Sequence, residues 1–289
     1  MSDYLIHDST LEDIADAIRS KTGGSALINP ENMAEEIDGL AAVTDGIVVK
    51  AMDANGYATE IDLYCNNGIV PNNLFRSGNN NNPTITHGFT LLQKINFKTP
   101  ITTIGNHAFN WLSALTEIDL DFSALTSVGD YAFMGCNLPI TVRVSSGASF
   151  SSTAFNSSKI VGFYTEASQI NNNQCASCSA LKTFEAPKAT RLGSYSSSIL
   201  YRCTGLQTVL LGGVGFGVTA WGTGNFSGCT QSDLTVTAYT NGTYVDGLLS
   251  NIRNGATNAT IIIKASENTT YNGTTYNAGD TILTSEVTS

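Results

Sequence analysis

Few residues in this sequence have the types and spacing that catalysis, metal binding or redox activity requires. The cysteines are the first to consider. The 289 residues include six cysteines, and Cys175 and Cys178 form a Cys-x-x-Cys pair. Such a pair is typical of zinc ligands or of a redox-active dithiol. A zinc site needs a second pair of cysteines or histidines, and the spacing of His7, His87 and His107 provides none. We therefore expect no metal site and no cofactor.

Other catalytic signatures are missing from the sequence. The glycine run at 212–217 lacks the Lys and Ser/Thr that complete a phosphate loop, and neither a Gly-x-Ser-x-Gly elbow nor a zincin helix occurs. We expect His87 and His107 to be solvated loop residues rather than general bases. Paired carboxylates for glycoside hydrolysis stay open as an alternative, although most of the chain is poor in acids. We predict that the protein is not an enzyme.

Binding chemistry is better represented. Eleven tyrosines and two tryptophans stand in a chain that is only 13% charged and contains 27 asparagines and 27 glycines. Aromatic rings supply contact area and amides supply hydrogen bonds, a combination suited to glycans and other polar polymers. The candidate ligand-binding residues are Trp111, Tyr131, Tyr195 and Tyr201, and a packing role is the alternative for each of them.

The charge distribution narrows the range of partners. The formal net charge is −10, and residues 1–45 contribute −8 of it through ten acids and two bases. A chain without a Lys/Arg cluster cannot release counterions from nucleic acid, so neither DNA nor RNA is expected, and anionic membranes are disfavoured for the same reason. The first residues lack the pattern of a signal peptide, and no apolar run reaches 18 residues. We expect synthesis in the cytoplasm without a secretion signal.

The acidic head, residues 1–45, has the pattern of two short helices. Ser9 and Glu12 form a capping box before an apolar stripe, and glycines end the helix near residue 23. Asn29 and Pro30 begin a second helix that ends at Gly39. Helices this short need a partner, so the head either packs on itself or is a docking or oligomerisation segment.

These residues resemble a known type of segment. The run from Thr10 to Gly24 (TLEDIADAIRSKTGG), followed by Asn29 to Ile37 (NPENMAEEI), is similar to the N-terminal segment of tail and baseplate structural proteins of phages and prophages of Gram-positive gut bacteria. The resemblance covers about 30 residues and implies a virion context. It says little about the body of the chain, because the segment precedes many different bodies.

The middle of the chain repeats itself. Ile104-Gly105-Asn106-His107-Ala108-Phe109 recurs as Val128-Gly129-Asp130-Tyr131-Ala132-Phe133, and weaker copies follow. The repeated anchor positions are separated by 24, 22, 20, 25 and 26 residues and are occupied by Phe109, Phe133, Phe155, Cys175, Leu200 and Phe226. This period is typical of leucine-rich solenoids, in which each coil supplies a strand and an anchor, and stacking buries a shared core.

The pattern Ile-Gly-x-x-Ala-Phe-x-x-Cys-x-x-Leu resembles the BspA-like leucine-rich repeat of bacterial surface and host-contact proteins. The resemblance covers residues 90–238 and implies a broad sheet face used for adhesion. It brings no catalytic residues.

The repeat also gives the cysteines a register. Cys136, Cys178, Cys203 and Cys229 each follow an anchor by three residues, and Cys175 is itself an anchor. We expect a buried column of structural thiols. Metal, redox and disulfide roles are the alternatives. Trp221 takes the position of Ile104 and is expected in the core.

The flanks complete the predicted organisation. Residues 46–89 should contain a β-hairpin and an N-terminal cap or first coil, which begins near Val70 or near Phe89. Residues 239–289 should form a β-rich C-terminal cap with an Asn-Gly hairpin, although a trimerising or ligand-binding tip is the alternative. The predicted fold is a β-rich, BspA-like leucine-rich-repeat solenoid with a short α-helical N-terminal segment and this cap.

Together these features indicate a phage tail or baseplate protein that adheres to a host surface through its solenoid. Residues 1–45 would contact other tail or baseplate proteins, and the solenoid would contact a bacterial surface glycan or protein. We expect a homo-oligomer, with a trimer favoured, that is made in the host cytoplasm and acts outside the cell as part of the virion. A BspA-like bacterial cell-surface adhesin is the alternative.

Overall fold

A computed structural model gives the fold for residues 46–75, 89–170, 173–192, 198–212 and 225–286. The helices predicted in residues 1–45 lie outside these ranges, as do His7, His87, Tyr195 and Trp221.

The described chain is a β-solenoid, which confirms the predicted β-rich coil stack. A first set of strands forms a four-stranded sheet, ordered β1-β2-β4-β6, and a seven-stranded sheet, ordered β19-β16-β15-β14-β12-β10-β8. These strands are β1 (Gly46–Met52), β2 (Ala58–Tyr64), β4 (Lys94–Phe97), β6 (Glu117–Ile118), β8 (Thr141–Val144), β10 (Gly162–Thr165), β12 (Thr183–Ala186), β14 (Thr208–Leu211), β15 (Thr235–Thr240), β16 (Thr260–Ala265) and β19 (Thr281–Ser285).

A second set of strands, two residues each, was not predicted from the sequence. It forms a four-stranded sheet, β3-β5-β7-β9, and the pair β11-β13. These strands are β3 (Ile69–Val70), β5 (Thr103–Ile104), β7 (Ser127–Val128), β9 (Ser149–Phe150), β11 (Gln169–Ile170) and β13 (Arg191–Leu192). Each coil of the middle region therefore has two strands, because the residues equivalent to Thr103–Ile104 pair with the same residues of the next coil.

Pairing between successive coils is parallel and in register. Strand β12 shows why: Phe184 and Ala186 point into the core, whereas Thr183 and Glu185 are half-buried on the outer face. Side chains alternate between the faces of a strand, so repeating an apolar residue at every second position gives each coil one inward row. Antiparallel pairing joins β1 to β2 and β16 to β19 at the two ends.

The anchors stack inside the coils as predicted. All of them are buried, and the Phe109 ring lies 5.1 Å from the Phe133 ring, which lies 5.3 Å from the Phe155 ring with an interplanar angle of 3°. Phe75 extends this row on the other side of Phe109, at 5.8 Å. The first coil therefore begins near Val70, which is fully buried in β3, and not near Phe89.

The turn around each anchor, which we call the anchor turn, is hydrogen-bonded to the anchor turn of the next coil. In the second coil the backbone N–H groups of His107, Phe109 and Trp111 donate to the carbonyls of Asp130, Ala132 and Met134, over 2.7 to 2.8 Å. Left-handed backbone angles recur two residues before and two residues after the anchors. They occur at Asn73, His107, Tyr131, Thr153 and Asn173 before the anchor, and at Trp111, Gly135, Ser157, Ser177, Arg202 and Gly228 after it.

The glycine of the Ile-Gly motif allows the coils to approach. A Cβ on Gly129 would lie 2.6 Å from the backbone nitrogen of Asn106, and one on Gly105 would lie 2.6 Å from that of Asn72. The Asn106 side chain lies between the two coils, and its amide oxygen accepts a hydrogen bond from the Asp130 backbone N–H at 2.9 Å. No side chain fits at these two positions.

The C-terminal region contains one helix, α1 (Val245–Arg253), and a hairpin of β17 (Thr269–Tyr271) and β18 (Thr274–Tyr276). Asn272 and Gly273 form its turn with positive φ angles, as the Asn-Gly pair predicts. The parallel ladder continues to β16, so the stack is longer than the repeats in residues 90–238. Arg253 donates hydrogen bonds to the carbonyls of Ala259 and Ser285 and thereby joins α1 to β19.

We expect Gly129→Ala to destabilise the protein by about 2 kcal/mol, because the added methyl group would push apart two hydrogen-bonded coils. Gly147→Ala is the matched control, since a Cβ on Gly147 meets no atom within 4 Å. Urea unfolding followed by circular dichroism measures both. Equal stability of the two variants would contradict the close approach of the coils.

Candidate functional site

The positions two residues after the anchors form a continuous row on the solenoid, which we call the turn ridge: Trp111, Gly135, Ser157, Ser177, Arg202 and Gly228. The first five donate a backbone hydrogen bond to the next coil, to the carbonyls of Met134, Asn156, Ala176, Tyr201 and Ser227 respectively. The ladder is unbroken from Trp111 to Arg202. The backbone positions of the ridge residues are therefore fixed relative to one another.

Trp111 is the exposed aromatic residue of the ridge. Its side chain is 53% exposed although its φ angle is +61°, a conformation that bulky residues rarely adopt. The indole lies against Gly135 of the next coil: a Cβ on Gly135 would come within 2.8 Å of the ring atoms Cδ2 and Cζ3. The glycine thus provides a flat seat for one face of the indole, and much of the ring remains accessible to solvent.

A second aromatic pair lies on the other side of the same anchors. The His107 and Tyr131 rings stack at 5.0 Å with an interplanar angle of 18°. The buried Asn110 holds this pair in place, because its amide nitrogen lies 3.1 Å from His107 Nδ1 and 3.4 Å from the Tyr131 carbonyl. His107 is half-buried, which corrects the expectation of a fully solvated loop residue, since stacking on Tyr131 covers one face of its ring.

Arg202 occupies the ridge position of a later coil. Its stem lies on Gly228, whose Cβ would be 3.1 Å from Arg202 Cγ, and its guanidinium carbon lies 5.0 Å from the centroid of the Tyr201 ring. Such a contact is a cation–π interaction. Arg202 is exposed and forms no ion pair with any residue of the described ranges.

The predicted binding residues are only partly brought together. Trp111 and Tyr131 lie in the anchor turns of neighbouring coils, and Tyr201 lies three coils beyond Tyr131. Tyr131 and Tyr201 are half-buried in their ring contacts, and Tyr195 is outside the described residues. Arg202 was not identified as a candidate from the sequence. A residue-by-residue alignment of the coils would have found it, since Arg202 and Gly228 repeat the order of Trp111 and Gly135.

The cysteines form an internal column, as their register predicts. All six are buried, and none of them forms a disulfide. The thiols of Cys136, Cys178, Cys203 and Cys229 donate to the carbonyls of earlier anchors, over 2.9 to 3.1 Å: Phe109, Phe155, Cys175 and Leu200 respectively. Ser158 occupies the same position in its coil and lies 3.5 Å from the Cys178 sulfur. These hydrogen bonds join neighbouring coils, so the role of the column is structural.

Burial makes these thiols chemically inert. It raises the pKa of Cys136 and Cys229 to about 12 and that of Cys178 to about 11, because a thiolate is poorly solvated inside the solenoid. The pKa values of Cys175 and Cys203 are also raised by burial. The thiolate is the form that attacks disulfides and binds metals, so the raised pKa values of Cys175 and Cys178 oppose a redox role for this pair. Among the described residues, no three metal-ligating side chains lie together.

Two carboxyl groups of the outer sheet face, those of Glu60 and Glu166, have lowered pKa values. The Asn96 amide donates to Glu60 and Asp62, over 2.9 and 3.0 Å, and chiefly through this bond the pKa of Glu60 is lowered. Lys188 lowers the pKa of Glu166 in the same way, from 2.8 Å. A general acid needs a raised pKa, so these groups are unsuited to that role.

Comparison with known families agrees with the coil geometry. Residues 84–207 match the BspA type leucine rich repeat region in six copies. A solved structure of a leucine-rich repeat protein from Bacteroides ovatus ATCC 8483 shares 16% identity over 77% of this chain and 76% of that one, with a TM-score of 0.31. A likeness this distant supports no argument about function. No curated protein matches the sequence. In the described part of the chain, no helix could cross a bilayer.

We expect all six thiols to be unreactive toward a thiol reagent at pH 8 in the native protein, because all are buried and the raised pKa values of Cys136, Cys175, Cys178, Cys203 and Cys229 keep those five protonated. All six should react after denaturation. Ser146→Cys, at an exposed position, is the control and should add one fast-reacting thiol. Rapid labelling of Cys175 or Cys178 in the native protein would refute the structural role.

We expect Gly135→Ala to displace the Trp111 ring. The protein has two tryptophans, so fluorotryptophan labelling gives two ¹⁹F resonances, and Trp111→Phe assigns one of them. That resonance should shift in Gly135→Ala. Gly273→Ala is the matched control, since Gly273 has a similar φ of +79° but no atom near its added Cβ. An unchanged resonance in Gly135→Ala would show that the glycine does not seat the ring.

Proposed function

We propose that the protein is a non-enzymatic adhesion protein whose turn ridge binds a bacterial surface and whose residues 1–45 attach it to a larger assembly. The proposal rests chiefly on the exposure and the backbone conformation of Trp111. An indole that is 53% exposed in a left-handed conformation costs free energy twice, once for the backbone and once for the apolar surface in water. The backbone cost alone is roughly 1 to 2 kcal/mol.

The repeat requires the left-handed backbone, which Ser157 and Ser177 also adopt, but it does not require exposed apolar surface at this position. Ser157 and Ser177 occupy the same ridge position in other coils, and a small polar residue there keeps the hydrogen-bond ladder intact. Strained residues and exposed apolar surface concentrate at binding sites. A tryptophan where serine suffices is therefore better explained by a ligand than by packing.

The attachment half of the proposal rests on the sequence of residues 1–45. Their resemblance to tail and baseplate segments supports display on a phage tail, where other tail proteins would be the partners. The assembly would be a homo-oligomer, and a trimer is the favoured form. Several copies displayed together would strengthen weak binding by about 10²- to 10⁴-fold through effective concentration. The alternative is a BspA-like cell-surface adhesin, which the BspA type repeats at 84–207 favour.

Binding of fluorescent protein to host and non-host bacterial cells tests the adhesive role. We expect Trp111→Ala to lower binding to host cells by at least tenfold, which corresponds to about 1.4 kcal/mol of stacking and burial, without changing the circular dichroism spectrum. Tyr57→Ala is the matched control, because Tyr57 is 37% exposed and lies outside the turn ridge. Equal binding by Trp111→Ala and the unaltered protein would contradict a role of the ridge.

A version lacking residues 1–45 separates attachment from adhesion. We expect it to be monomeric by light scattering and to bind cells weakly, and clustering on beads should restore the binding. Immunogold labelling then locates the intact protein, since gold on purified phage tails supports the virion and gold on intact bacteria supports the cell-surface adhesin. A truncated protein that keeps its oligomeric state would show that residues 1–45 do not assemble it.

A further inference from the structure

The turn ridge carries two large side chains, and both are seated in the same way. Trp111 lies on Gly135 and Arg202 lies on Gly228, in each case a glycine with positive φ at the equivalent position of the following coil. Where the ridge residue is small, as at Ser157, the next coil has another serine, Ser177. Each large side chain on the ridge therefore packs against a glycine of the next coil. Trp111 and Arg202 are the two large side chains that the ridge holds at the surface.

The distance between these two groups follows from the ladder. Four hydrogen-bonded steps lead from Trp111 through Gly135, Ser157 and Ser177 to Arg202. Neighbouring strands of a sheet are about 4.8 Å apart, so Trp111 and Arg202 are separated by about 19 Å along the ridge. The residues between them are small, so no ridge side chain stands between the indole and the guanidinium.

The two ends suit different chemical groups. The two anchor turns around Trp111, residues 105–112 and 129–136, contain Asp130 as their one acidic residue and no Lys or Arg. An accessible aromatic face in such surroundings suits the apolar face of an uncharged sugar ring. Arg202 is the one charged residue of residues 198–204 and 225–230 and has no acidic partner in the described chain. A guanidinium presents several donors to a carboxylate or a phosphate.

From this arrangement we infer that the turn ridge binds an acidic sugar polymer at two points, with Trp111 stacking on one sugar ring and Arg202 pairing with an acidic group about 19 Å away. The inference rests on the proposed adhesive function and names the ligand class for it. A linear polymer can lie along the small residues between the two points. Residues 46–289 carry a net charge of only −2, so the body repels such a polymer weakly.

Titration calorimetry with the full chain tests the inference. The probes are galacturonic acid oligomers, phosphorylated dextran oligomers and the matched uncharged oligomers of each, in lengths shorter and longer than the spacing of the two groups. We expect acidic oligomers that span it to bind at least tenfold more tightly than shorter ones, because the second contact becomes intramolecular. The preferred acidic series identifies the acidic group as a carboxylate or a phosphate.

Two variants separate the two points. Trp111→Ala should weaken binding of both acidic and uncharged oligomers. Arg202→Gln should weaken binding of acidic oligomers alone, by about tenfold, as expected for one charge-assisted hydrogen bond, and should reduce the dependence on salt. Arg143→Gln is the matched control, because Arg143 is also exposed and lies 5.2 Å over a tyrosine ring, that of Tyr164, but belongs to β8 and not to the ridge.

Several results would overturn the inference. The inference fails if neither long acidic series binds, or if uncharged oligomers bind as tightly as acidic ones. It also fails if Arg202→Gln and Arg143→Gln have equal effects, or if the affinity does not depend on oligomer length. Tight binding of phosphocholine by Trp111 alone would also overturn it, since the ligand would then be a quaternary ammonium group. Cell binding that depends on Trp111 would leave the adhesive function standing in each of these cases.

Discussion

Backbone hydrogen bonds between the anchor turns hold neighbouring coils together at every second residue, and the rest of the molecule conforms to that ladder. His107, Phe109 and Trp111 all donate to the following turn, which requires left-handed angles on both sides of the anchor. It also requires the two Ile-Gly glycines, where a Cβ would meet the neighbouring backbone. The stacked phenylalanine rings and the buried thiols fill the space that this spacing leaves inside. The solenoid is therefore rigid along its axis, with each coil placed by its neighbours.

The same ladder determines where functional side chains can stand. A side chain on the turn ridge projects beside the next coil, so a large one fits where that coil offers a glycine. The chain meets this condition at Trp111 and again at Arg202, and uses serine between them. Binding groups on such a ridge are thus separated by whole numbers of coils.

Features that repeat at a fixed period could be predicted from the sequence, whereas features that depend on contacts between two coils could not. The anchors, the cysteine column and the Asn-Gly hairpin were predictable because each is a residue type at a fixed period. The two-residue strands were not, because Thr103–Ile104 pairs only through the close approach that Gly105 and Gly129 permit. The half-burial of His107 depends on Tyr131 of another coil. Arg202 was not singled out from the sequence, because its place on the ridge is defined only by its equivalence to Trp111 in the coil stack.

The separation of 19 Å is a property of coil number rather than of any residue, since four steps of about 4.8 Å produce it. The coils anchored by Phe155 and Cys175 place serines on the ridge, between the two side chains that we propose as binding groups. Removing one such coil would shorten the separation by one step and leave both seats intact, because each seat consists of a side chain and the glycine of the adjacent coil. Nearest-neighbour stacking permits this change at the cost of one interface. Under the proposed function, a change in the number of spacer coils would change which polymer spacing the ridge recognises, without altering the groups that make contact.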